Sequence, residues 1–182
     1  MMKAGLYWPL QSNTIRKGAV SNTFGMVRNG GKRPHQGWDL QAAPGTRCYA
    51  VADGQIVYAD AKGKFGKLIL FKFQHRERTL YAAYAHLSLC IVRDLQQVVG
   101  GEFIGMTGNT GNAEMMEGDD QHLHFEIRTI EHPGLGLVGR IDPRQFYGFT
   151  PLNMTVYAPR PEVAQGMGMS APGLKVRGVN VL

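Results

Sequence analysis

Two of the six histidines, His122 and His124, are separated by one residue in a segment whose pattern predicts a β-strand. Because side chains alternate across a strand, both imidazoles are expected on one face, together with Glu126. The opposite face is apolar and consists of Leu123, Phe125 and Ile127. Two imidazoles on a polar face that is backed by an apolar face favour a metal-ligating or catalytic role.

A second pair of chemically useful side chains, His35 and Asp39, lies four positions apart. Pro34 and Gly37 argue against a helix here, so we expect a turn or bulge at Gly37 to bring the pair together. Two imidazole nitrogens and one carboxylate oxygen are a common ligand set for catalytic zinc, with a fourth position left for water. The spacing of this pair alone indicates little, but together with the two histidines of the strand it favours a metal site.

A third element is the segment Tyr84–Leu87, in which Tyr84 and His86 are two positions apart. The pattern predicts a strand, so both side chains are expected on one face. Taken alone, His86 fits an ordinary surface histidine near a strand end. The remaining histidines, His75 and His132, lie in turn-like segments and are predicted at the surface.

The elements that must position these residues are mainly strands. Alternating runs bounded by turn signals predict strands at Lys67–Gln74, Thr79–Leu87 and His122–Arg128, the first two of which form a hairpin. The segment Cys48–Tyr58 predicts two short strands that pair around the turn signal Asp53-Gly54. The best helical window is Leu89–Val99. Few other windows have helical periodicity, so we predict a mainly β, antiparallel fold.

The composition fits one folded domain, since the 182 residues are 43% hydrophobic and 19% charged. The net charge of +6 favours binding to polyanions such as nucleic acid, anionic lipid or wall polymers, without specifying any chemistry.

No stretch approaches the ~20 apolar residues of a membrane span. The N-terminal segment does not have the pattern of a secretory signal. We therefore expect either a trimmed mature chain or synthesis in the cytoplasm followed by export along another route.

The two cysteines, Cys48 and Cys90, do not form a Cys-x-x-Cys pair, which argues against a thiolate zinc site. Two buried, unreactive thiols are the favoured interpretation. The sequence leaves a disulfide between them open.

Several motifs follow one another in a characteristic order. They are Phe24-Gly25, His35-x-Gly37-x-Asp39-Leu40, Ala42-Ala43-Pro44-Gly45-Thr46, Ala50-x-Ala52-Asp53-Gly54-x-Ile56-Val57, Tyr84-Ala85-His86-Leu87-Ser88, Ile104-Gly105-x-Thr107-Gly108-Asn109-Thr110-Gly111 and His122-Leu123-His124-Phe125-Glu126. In order and spacing they resemble the lysostaphin/LytM-type zinc metallopeptidases, which cleave peptidoglycan peptides. The resemblance implies a twisted antiparallel sheet with long loops that form a substrate groove and few short helices. The resemblance covers a metallopeptidase domain at 22–147. The pattern of the remaining residues predicts a lead-in at 1–21 and a C-terminal extension rich in Pro, Gly and Met at 148–182.

The resemblance further implies which side chains carry the chemistry. One Zn²⁺ ion would be bound by His35, Asp39 and His124. His122 and His86 would line the reacting centre, one as base and the other as acid or hydrogen-bond donor, and the sequence does not assign the two roles.

Two neighbours of these residues have alternative interpretations. Tyr84 is a candidate to orient His86 or to stabilise developing negative charge, and a packing role is the alternative. Glu126 either fixes the tautomer of an imidazole ligand or is a solvated strand charge. Trp38 is predicted in the groove wall or in the core.

One departure from the family is the segment Ala113–Gln121, which is longer and more acidic than the usual short loop before the His-x-His motif. We expect it to reshape one wall of the groove and so to affect substrate choice. Its acidic residues are alternative metal ligands, which we disfavour because a mobile loop positions a metal poorly. These residues are Glu117, Asp119 and Asp120.

The resemblance predicts a zinc metallopeptidase that cleaves peptide cross-links or stem peptides of bacterial peptidoglycan, as an endopeptidase or as a carboxypeptidase. The bond that is cut stays open between a stem-peptide cross-link, a glycine bridge and a terminal D-Ala. Because the wall lies outside the cytoplasm, we expect export and action in the periplasm or cell wall. We favour an antibacterial effector delivered by specialised secretion machinery, with a cognate immunity protein that plugs the groove. A phage particle or lysis system is the alternative route.

Two other classes of protein compete with this prediction. A non-catalytic LytM-fold activator or binder of other wall hydrolases would typically lack metal ligands, whereas every expected ligand is present here. A nucleic-acid-binding β domain would account for the net charge. The basic side chains in question fall into two clusters, Lys62, Lys64 and Lys67 in one, Arg76 and Arg78 in the other. No recognised motif accompanies them, so no nucleic-acid partner is predicted.

Overall fold

A computed structural model describes residues 5–60 and 63–158 of the chain. The strands are β1 Ser12–Asn13, β2 Gly25–Arg28, β3 Arg33–His35, β4 Trp38–Gln41, β5 Arg47–Tyr49, β6 Gly54–Tyr58, β7 Lys67–His75, β8 Arg78–Cys90, β9 Gln97–Val98, β10 Phe103–Thr107, β11 His122–Arg128, β12 Arg140–Ile141 and β13 Val156–Tyr157. Within these ranges the helices are α1, Arg144–Tyr147, and 3-10 turns at Arg16–Gly18, Val20–Asn22, Gly111–Ala113 and Gly118–Asp120.

In the described part of the chain, nine strands form one sheet that contains the path β12–β11–β8–β7–β6–β9. β10 pairs with β5 and with β8, and β4 lies beside β11. Two short pairs, β1–β13 and β2–β3, lie outside this sheet. All of these pairings are antiparallel, so the predicted mainly β, antiparallel fold with few short helices is confirmed.

The hairpin of β7 and β8 is the longest pairing in the sheet, and it confirms the hairpin predicted from the alternating runs. β8 changes its second partner at His86: Tyr81–Ala85 pair with β11, whereas Leu87–Cys90 pair with β10. His86 has a φ of +61°, which a residue with a side chain rarely adopts. The register with β7 also shifts between Lys67 and Ile69. The alternation of side chains along β8 is therefore interrupted at His86.

The main core is built from aromatic and aliphatic side chains of neighbouring strands. The apolar face predicted for β11 is confirmed, because Leu123, Phe125 and Ile127 are completely buried. Trp38, which the sequence places in the groove wall or in the core, is a core residue. Burial of each such side chain contributes roughly 1.5–3 kcal/mol, so this face holds β11 and its polar opposite face in place.

The predicted hairpin around Asp53-Gly54 is wrong, since β5 pairs with β10 and β6 pairs with β7 and β9. Gly54 serves close packing, because a Cβ there would collide with the carbonyl oxygen of Lys72. Asp53 accepts a hydrogen bond from the backbone N–H of Gly100. The turn signal therefore marks a change of sheet partner and not a hairpin.

The helix predicted at Leu89–Val99 is also wrong, since the segment consists of the end of β8, a turn and β9. Its backbone N–H groups donate hydrogen bonds to neighbouring strands. The N–H of Ile91 donates to the carbonyl oxygen of Ile104, and the N–H of Leu95 donates to the carbonyl oxygen of Ile56. Sheet pairing therefore replaces the local hydrogen bonds that a helix would need.

The segment predicted as a lead-in packs onto the domain. Leu10 and Ile15 are completely buried in the core, and β1 pairs with β13. Ile15 donates a backbone hydrogen bond to Pro151. The predicted boundaries at 1–21 and 148–182 stay predictions, and residues 159–182 of the extension lie outside the described residues, as do residues 1–4.

The two cysteines flank one strand. Cys48 on β5 and Cys90 on β8 both align with Gly105 of β10, which lies between them. Two strand spacings of ~4.8 Å separate them by roughly 10 Å, beyond the ~7 Å limit for a disulfide.

None of the helices in residues 5–60 and 63–158 has the length and apolar character needed to cross a bilayer.

Candidate metal centre and cleft

His35 and Asp39 are brought together by the break between β3 and β4. β3 ends at His35 and β4 begins at Trp38, so Gln36 and Gly37 form the connection. A Cβ on Gly37 would collide with the carbonyl oxygen of Phe125, so only glycine lets the chain pass this close to β11. The predicted irregularity at Gly37 is therefore present, and His35 Nε2 lies 3.0 Å from Asp39 Oδ1.

Strand pairing supplies the third member of the site. β11 pairs with β4 in a register that sets His124 directly opposite Asp39. His124 Nδ1 lies 2.7 Å from Asp39 Oδ1 and 3.3 Å from His35 Nε2. Each of the three residues offers one atom that could bind a metal, and these atoms lie within 4.8 Å of one another. These three residues form a candidate metal site, which we call the metal centre, and all three are buried.

The outward nitrogens of the two imidazoles determine which atoms face inward. His35 Nδ1 lies 2.8 Å from the carbonyl oxygen of Thr23, which only accepts hydrogen bonds, so Nδ1 carries a proton. His124 Nε2 lies 3.0 Å from Glu126 Oε1 and donates to that carboxylate. In the neutral imidazoles the inward atoms, His35 Nε2 and His124 Nδ1, therefore carry lone pairs directed at each other and at Asp39.

Three hydrogen-bond acceptors that converge in this way repel one another unless a cation or a proton lies between them. Two imidazole nitrogens and one carboxylate oxygen match the ligand types that zinc prefers, and three protein ligands leave a fourth position. The partners Thr23 and Glu126, which fix the ring orientations, are also typical of histidine metal ligands. The residues present thus fit a zinc ion.

The pKa values of the metal centre reflect the same convergence of acceptors. Burial disfavours the charged form of Asp39, but hydrogen bonds from His124 and His35 outweigh burial and hold the pKa of the carboxyl well below its usual range. Burial also opposes the charged form of His124, yet Asp39 and Glu126 raise the pKa of that imidazole to about 9. Without a metal, a proton on His124 therefore relieves the repulsion.

His86 and His122 present unprotonated nitrogens beside the metal centre. His86 Nδ1 donates to the carbonyl oxygen of Thr110 at 2.9 Å, and His122 Nδ1 donates to that of Asp120 at 2.7 Å. In the neutral rings, Nε2 thus carries the lone pair. The ring centroids of the two residues are 5.2 Å apart, and His122 Nε2 lies 3.5 Å from Asp39 Oδ1.

Both imidazoles favour the neutral form. Burial is the main cause that lowers the pKa of His86 to about 4, and the neighbouring imidazoles of His124 and His122 further disfavour a positive charge on it. Burial is also the main cause that lowers the pKa of His122, although Asp39 opposes it. At neutral pH each ring can therefore accept a proton at Nε2.

Behind His124, away from the cleft, lies a buried charge network of Glu126, Arg128 and Arg140. Glu126 Oε2 accepts hydrogen bonds from Arg128 Nε at 2.7 Å and from Arg140 Nε at 2.9 Å, while Oε1 faces His124. Burial opposes ionisation of Glu126, but its partners outweigh burial and lower its pKa to about 2. Of the two roles left open for Glu126, the geometry fits the one that orients an imidazole.

In front of the metal centre a cleft of about 910 Å³ opens to solvent. Phe65 forms part of its wall and stacks on His124, with ring centroids 5.6 Å apart. Arg28 Nη2 donates to Asp39 Oδ2 at 2.7 Å, so this oxygen is engaged while Oδ1 faces the imidazoles. The other cationic side chains of the lining are Arg16, Arg33 and Lys64. We call these three residues and Arg28 the cationic rim.

The structure does not bring Tyr84 into the cleft, and the prediction that Tyr84 and His86 share a strand face is wrong. Tyr84 is completely buried, packs edge-on against Phe125 and donates its hydroxyl to the carbonyl oxygen of Tyr49. The left-handed conformation of His86 interrupts the alternation on which the prediction depended. In this structure Tyr84 has the packing role that was its alternative.

The acidic segment before β11 is tied to the N-terminal segment. Asp120 accepts hydrogen bonds from Arg16 and forms an ion pair with Lys17 at 2.7 Å. Met116 of the same segment lines the cleft, whereas Glu117 and Asp119 are exposed and do not. The segment thus contributes to one wall, and none of its carboxylates joins the metal centre.

The two histidines predicted at the surface lie away from the cleft. His132 is largely exposed and pairs with Glu131, and His75 is half-buried against Phe146. Sequence reasoning missed Arg16, Arg28 and Phe65, because nothing in their local pattern relates them to His35 or His124. Only the spatial arrangement of three separate segments shows these contacts.

Comparison with known proteins gives one matching family model and several relatives. The model described as peptidase family M23 matches residues 33–134. The chain is 37% identical over 122 residues to the murein hydrolase activator NlpD of Escherichia coli, covering 66% of this chain and 27% of that protein. It is 37% identical over 127 residues to the cell division protein DipM of Caulobacter vibrioides, covering 69% and 18%. The chain therefore spans about a quarter or less of the length of these relatives.

Solved structures show the same fold. The catalytic domain of lysostaphin from Staphylococcus simulans matches 79% of this chain and 93% of that domain, with a TM-score of 0.54 and 24% identity. A zinc-containing peptidase from Vibrio cholerae matches 78% of this chain and 39% of that chain, with a TM-score of 0.56 and 24% identity. At these identities the likeness establishes the fold.

Proposed function

Since the chain belongs to peptidase family M23, we propose that it is a zinc-dependent peptidase that hydrolyses peptide bonds of bacterial peptidoglycan. One observation carries the proposal: three buried acceptor atoms of the metal centre converge within 4.8 Å, beside two neutral imidazoles that face the cleft. Relatives named for murein hydrolase activation and for cell division support the cell wall as the substrate.

In this proposal the metal centre holds one Zn²⁺ ion through His35 Nε2, Asp39 Oδ1 and His124 Nδ1. A bound zinc ion would polarise the carbonyl of the scissile bond and lower the pKa of water toward ~7. Arg28 holds Asp39 Oδ2, which leaves Oδ1 for the ion. Glu126 holds the ring of His124, so that Nδ1 keeps its lone pair toward the site.

His86 and His122 move the protons of the reaction. Each ring has its Nδ1–H bound to a backbone carbonyl, so Nε2 is the atom that accepts a proton from water or later returns one to the leaving amine. Both rings start neutral, because burial lowers their pKa values. Because both imidazoles are neutral and carry the proton on Nδ1, their protonation does not distinguish the base from the acid. Kinetics of single variants would assign the two roles.

The cleft suits an extended peptide. It runs from the β2–β3 hairpin past the metal centre to Lys64 and Phe65, and it is open to solvent. Its volume of about 910 Å³ is near the upper end of typical ligand sites. Endopeptidase and carboxypeptidase action both fit this shape, and the products of digestion distinguish them.

The test is digestion of purified peptidoglycan from several wall types, with mass spectrometry of the fragments. We expect new free amino groups from cut peptide bonds, loss of activity with a chelator and recovery with zinc. The His124→Ala variant should be inactive, and His132→Ala, which changes an exposed histidine, should match the wild type. Cleavage by His124→Ala at the wild-type rate would refute the ligand assignment.

A second candidate function is activation of another wall hydrolase without catalysis. The relative NlpD, whose name states this role, favours it, whereas the complete metal centre favours an enzyme. The two are separated by adding the protein to peptidoglycan with and without a second murein hydrolase. An activator would release nothing alone, and His124→Ala would stimulate the second hydrolase as well as the wild type does.

The site of action follows from the proposed substrate, which places the protein in the periplasm or cell wall. Delivery by specialised secretion machinery and a cognate immunity protein that plugs the cleft stay predictions from the sequence. Co-purification of the chain with products of neighbouring genes, followed by inhibition of wall digestion, tests the immunity partner.

A further inference from the structure

The cationic rim gives the cleft an excess of positive charge. Arg16, Arg28, Arg33 and Lys64 line it, and among the described lining residues Asp39 is the only acid. That acid is already engaged by Arg28 and by the two imidazoles of the metal centre. A divalent ion at the metal centre would increase the positive potential further.

Two members of the rim have no protein partner for their charge. Within residues 5–60 and 63–158, the side chains of Arg33 and Lys64 form no ion pair and no hydrogen bond with another residue. Arg28 and Arg16 are crowded by like charge, because both guanidinium groups approach the same oxygen, Asp39 Oδ2, at 2.7 Å and 3.7 Å. An anionic ligand would relieve this repulsion.

The cationic side chains near the metal centre come from two different segments of the cleft lining. Arg28 and Arg33 belong to the β2–β3 hairpin, which also carries His35. Lys64 precedes Phe65, and the carbonyl oxygen of Phe65 accepts a hydrogen bond from the backbone N–H of His86. Lys64 therefore belongs to the part of the cleft lining that is next to His86. A peptide that reaches from the hairpin across the metal centre to the Lys64 segment would thus meet positive charge from both segments.

We propose that the cleft selects peptides with free carboxylates on both sides of the scissile amide, with the cationic rim as the specificity determinant. The inference rests on the proposed peptidase function and narrows its substrate class. Stem peptides that contain diaminopimelate carry such carboxylates, whereas a glycine bridge carries none.

Physical chemistry favours this choice for two reasons. A guanidinium forms charge-assisted hydrogen bonds with a carboxylate, frequently two in parallel, which a neutral amide does not match. A neutral peptide that fills the cleft would displace water from Arg33 and Lys64 without replacing its hydrogen bonds. The rim thus attracts carboxylates and also disfavours uncharged bridges.

The experiment compares three defined substrates at constant ionic strength. The first is a cross-linked muropeptide dimer with free diaminopimelate carboxylates, the second is the same dimer with those carboxylates amidated, and the third is a pentaglycine-linked dimer. We expect kcat/KM to fall by about tenfold or more on amidation, the order of one or two charge-assisted hydrogen bonds in a partly solvated site. The pentaglycine dimer should be the poorest substrate.

Variants connect the preference to the rim. Arg33→Met and Lys64→Met should each reduce the ratio of rates for free and amidated dimers, and the double variant should bring the ratio close to one. Arg93→Met is the matched control, because Arg93 is an exposed cation that does not line the cleft. It should keep the wild-type ratio, which excludes an effect of net charge alone.

A binding measurement separates this inference from the proposed function. Calorimetry with the slow variant His86→Ala measures the affinity for the free and the amidated dimer without turnover. If the wild type cuts no dimer but the free dimer binds about tenfold tighter, the peptidase proposal fails and the selectivity holds. Equal cleavage and equal affinity for the two dimers, or a preference that survives in the double variant, would overturn the inference.

Discussion

The two sides of His124 differ in how their charges are satisfied. On the buried side, Glu126 is completely enclosed and bonds to Arg128, Arg140 and His124, so every charge has a partner. On the cleft side, Arg33 and Lys64 have no acidic partner among the described residues, and His86 presents a lone pair to the cleft. The same imidazole thus lies between a completed network and an incomplete one.

This difference separates residues that hold geometry from residues that meet a substrate. A buried charge network is stable only if it is complete, since an uncompensated buried charge is costly. Charges in an open cleft remain hydrated and are available for a ligand. Loss of a residue on the buried side should therefore affect stability and metal affinity, and loss on the cleft side should affect turnover and selectivity.

The largest effect is expected where the two sides meet, at Asp39. Asp39→Ala removes a metal ligand and leaves Arg28 without its partner. We expect loss of bound metal and a fall in peptidoglycan hydrolysis of about 10³-fold or more, because metal catalysis contributes several kcal/mol. Zinc content and digestion rate are the measurements. Asp119→Ala is the control, since Asp119 is exposed and lies outside the cleft; an equal loss there would contradict the assignment.

The next effect belongs to the cleft side. His86→Ala should reduce kcat by about 10²–10⁴-fold, the usual range for a proton-transfer residue, with zinc content unchanged. Steady-state kinetics and metal analysis of the same sample check both parts. His75→Ala, which changes a half-buried histidine remote from the cleft, should retain activity. A His86 variant that loses its zinc would belong with the ligands instead.

On the buried side, we expect substitution of Glu126 to weaken metal binding less than Asp39→Ala does, and also to reduce stability. Glu126→Gln keeps the side-chain volume but leaves two buried arginines without an anion. We expect zinc affinity to fall about 10–100-fold and the free energy of unfolding to fall by about 3–5 kcal/mol. Zinc titration and denaturant unfolding of the metal-free protein measure these separately. If Glu126→Gln changes only kcat, the network does not position His124.

The pH dependence sharpens the contrast further. A base acts only in its neutral form, and activity is lost as pH falls through its pKa. Because burial lowers the pKa of both candidate bases, that of His86 to about 4, the acidic limb should lie below the ordinary value of ~6.5, and a nearby dication shifts it in the same direction. With His86 as the base, activity at pH 5.5 should be about tenfold higher than an unshifted histidine allows. Zinc content is followed in parallel, and a limb at 6.5 with zinc retained would contradict the prediction.

The smallest effect is expected at Asp120, in the acidic segment that precedes β11. Asp120→Asn removes the exposed ion pairs with Lys17 and Arg16 but keeps the backbone carbonyl that accepts from His122. Stability should change by less than about 1 kcal/mol, as for other exposed pairs, with zinc content unchanged. Thermal unfolding and metal analysis suffice. Loss of zinc in this variant would revive the acidic segment as a ligand source.

Local periodicity predicted those parts of the molecule that depend on neighbouring residues in the chain. The strand His122–Arg128 and the β7–β8 hairpin follow from alternation, and the convergence of His35 and Asp39 follows from the break at Gly37. The hairpin at Asp53-Gly54 failed because close packing against β7, and not a turn, requires that glycine.

Other features depend on contacts between distant segments and have no local signature. The left-handed conformation of His86, which separates it from Tyr84, arises where β8 changes partner from β11 to β10. Arg140 reaches Glu126 from 14 positions away, and Arg28 reaches Asp39 from the β2–β3 hairpin. No pattern within either segment announces such a contact.

The metal centre is tested most directly by X-ray absorption at the zinc edge, together with the zinc content of the purified protein. We expect one zinc per chain, bound by two imidazole nitrogens, one carboxylate oxygen and one light atom that the protein does not supply. His122→Ala should leave this spectrum unchanged, whereas His124→Ala should lose the metal. A third imidazole in the wild-type spectrum that disappears in His122→Ala, or zinc binding that persists in His124→Ala, would contradict this expectation.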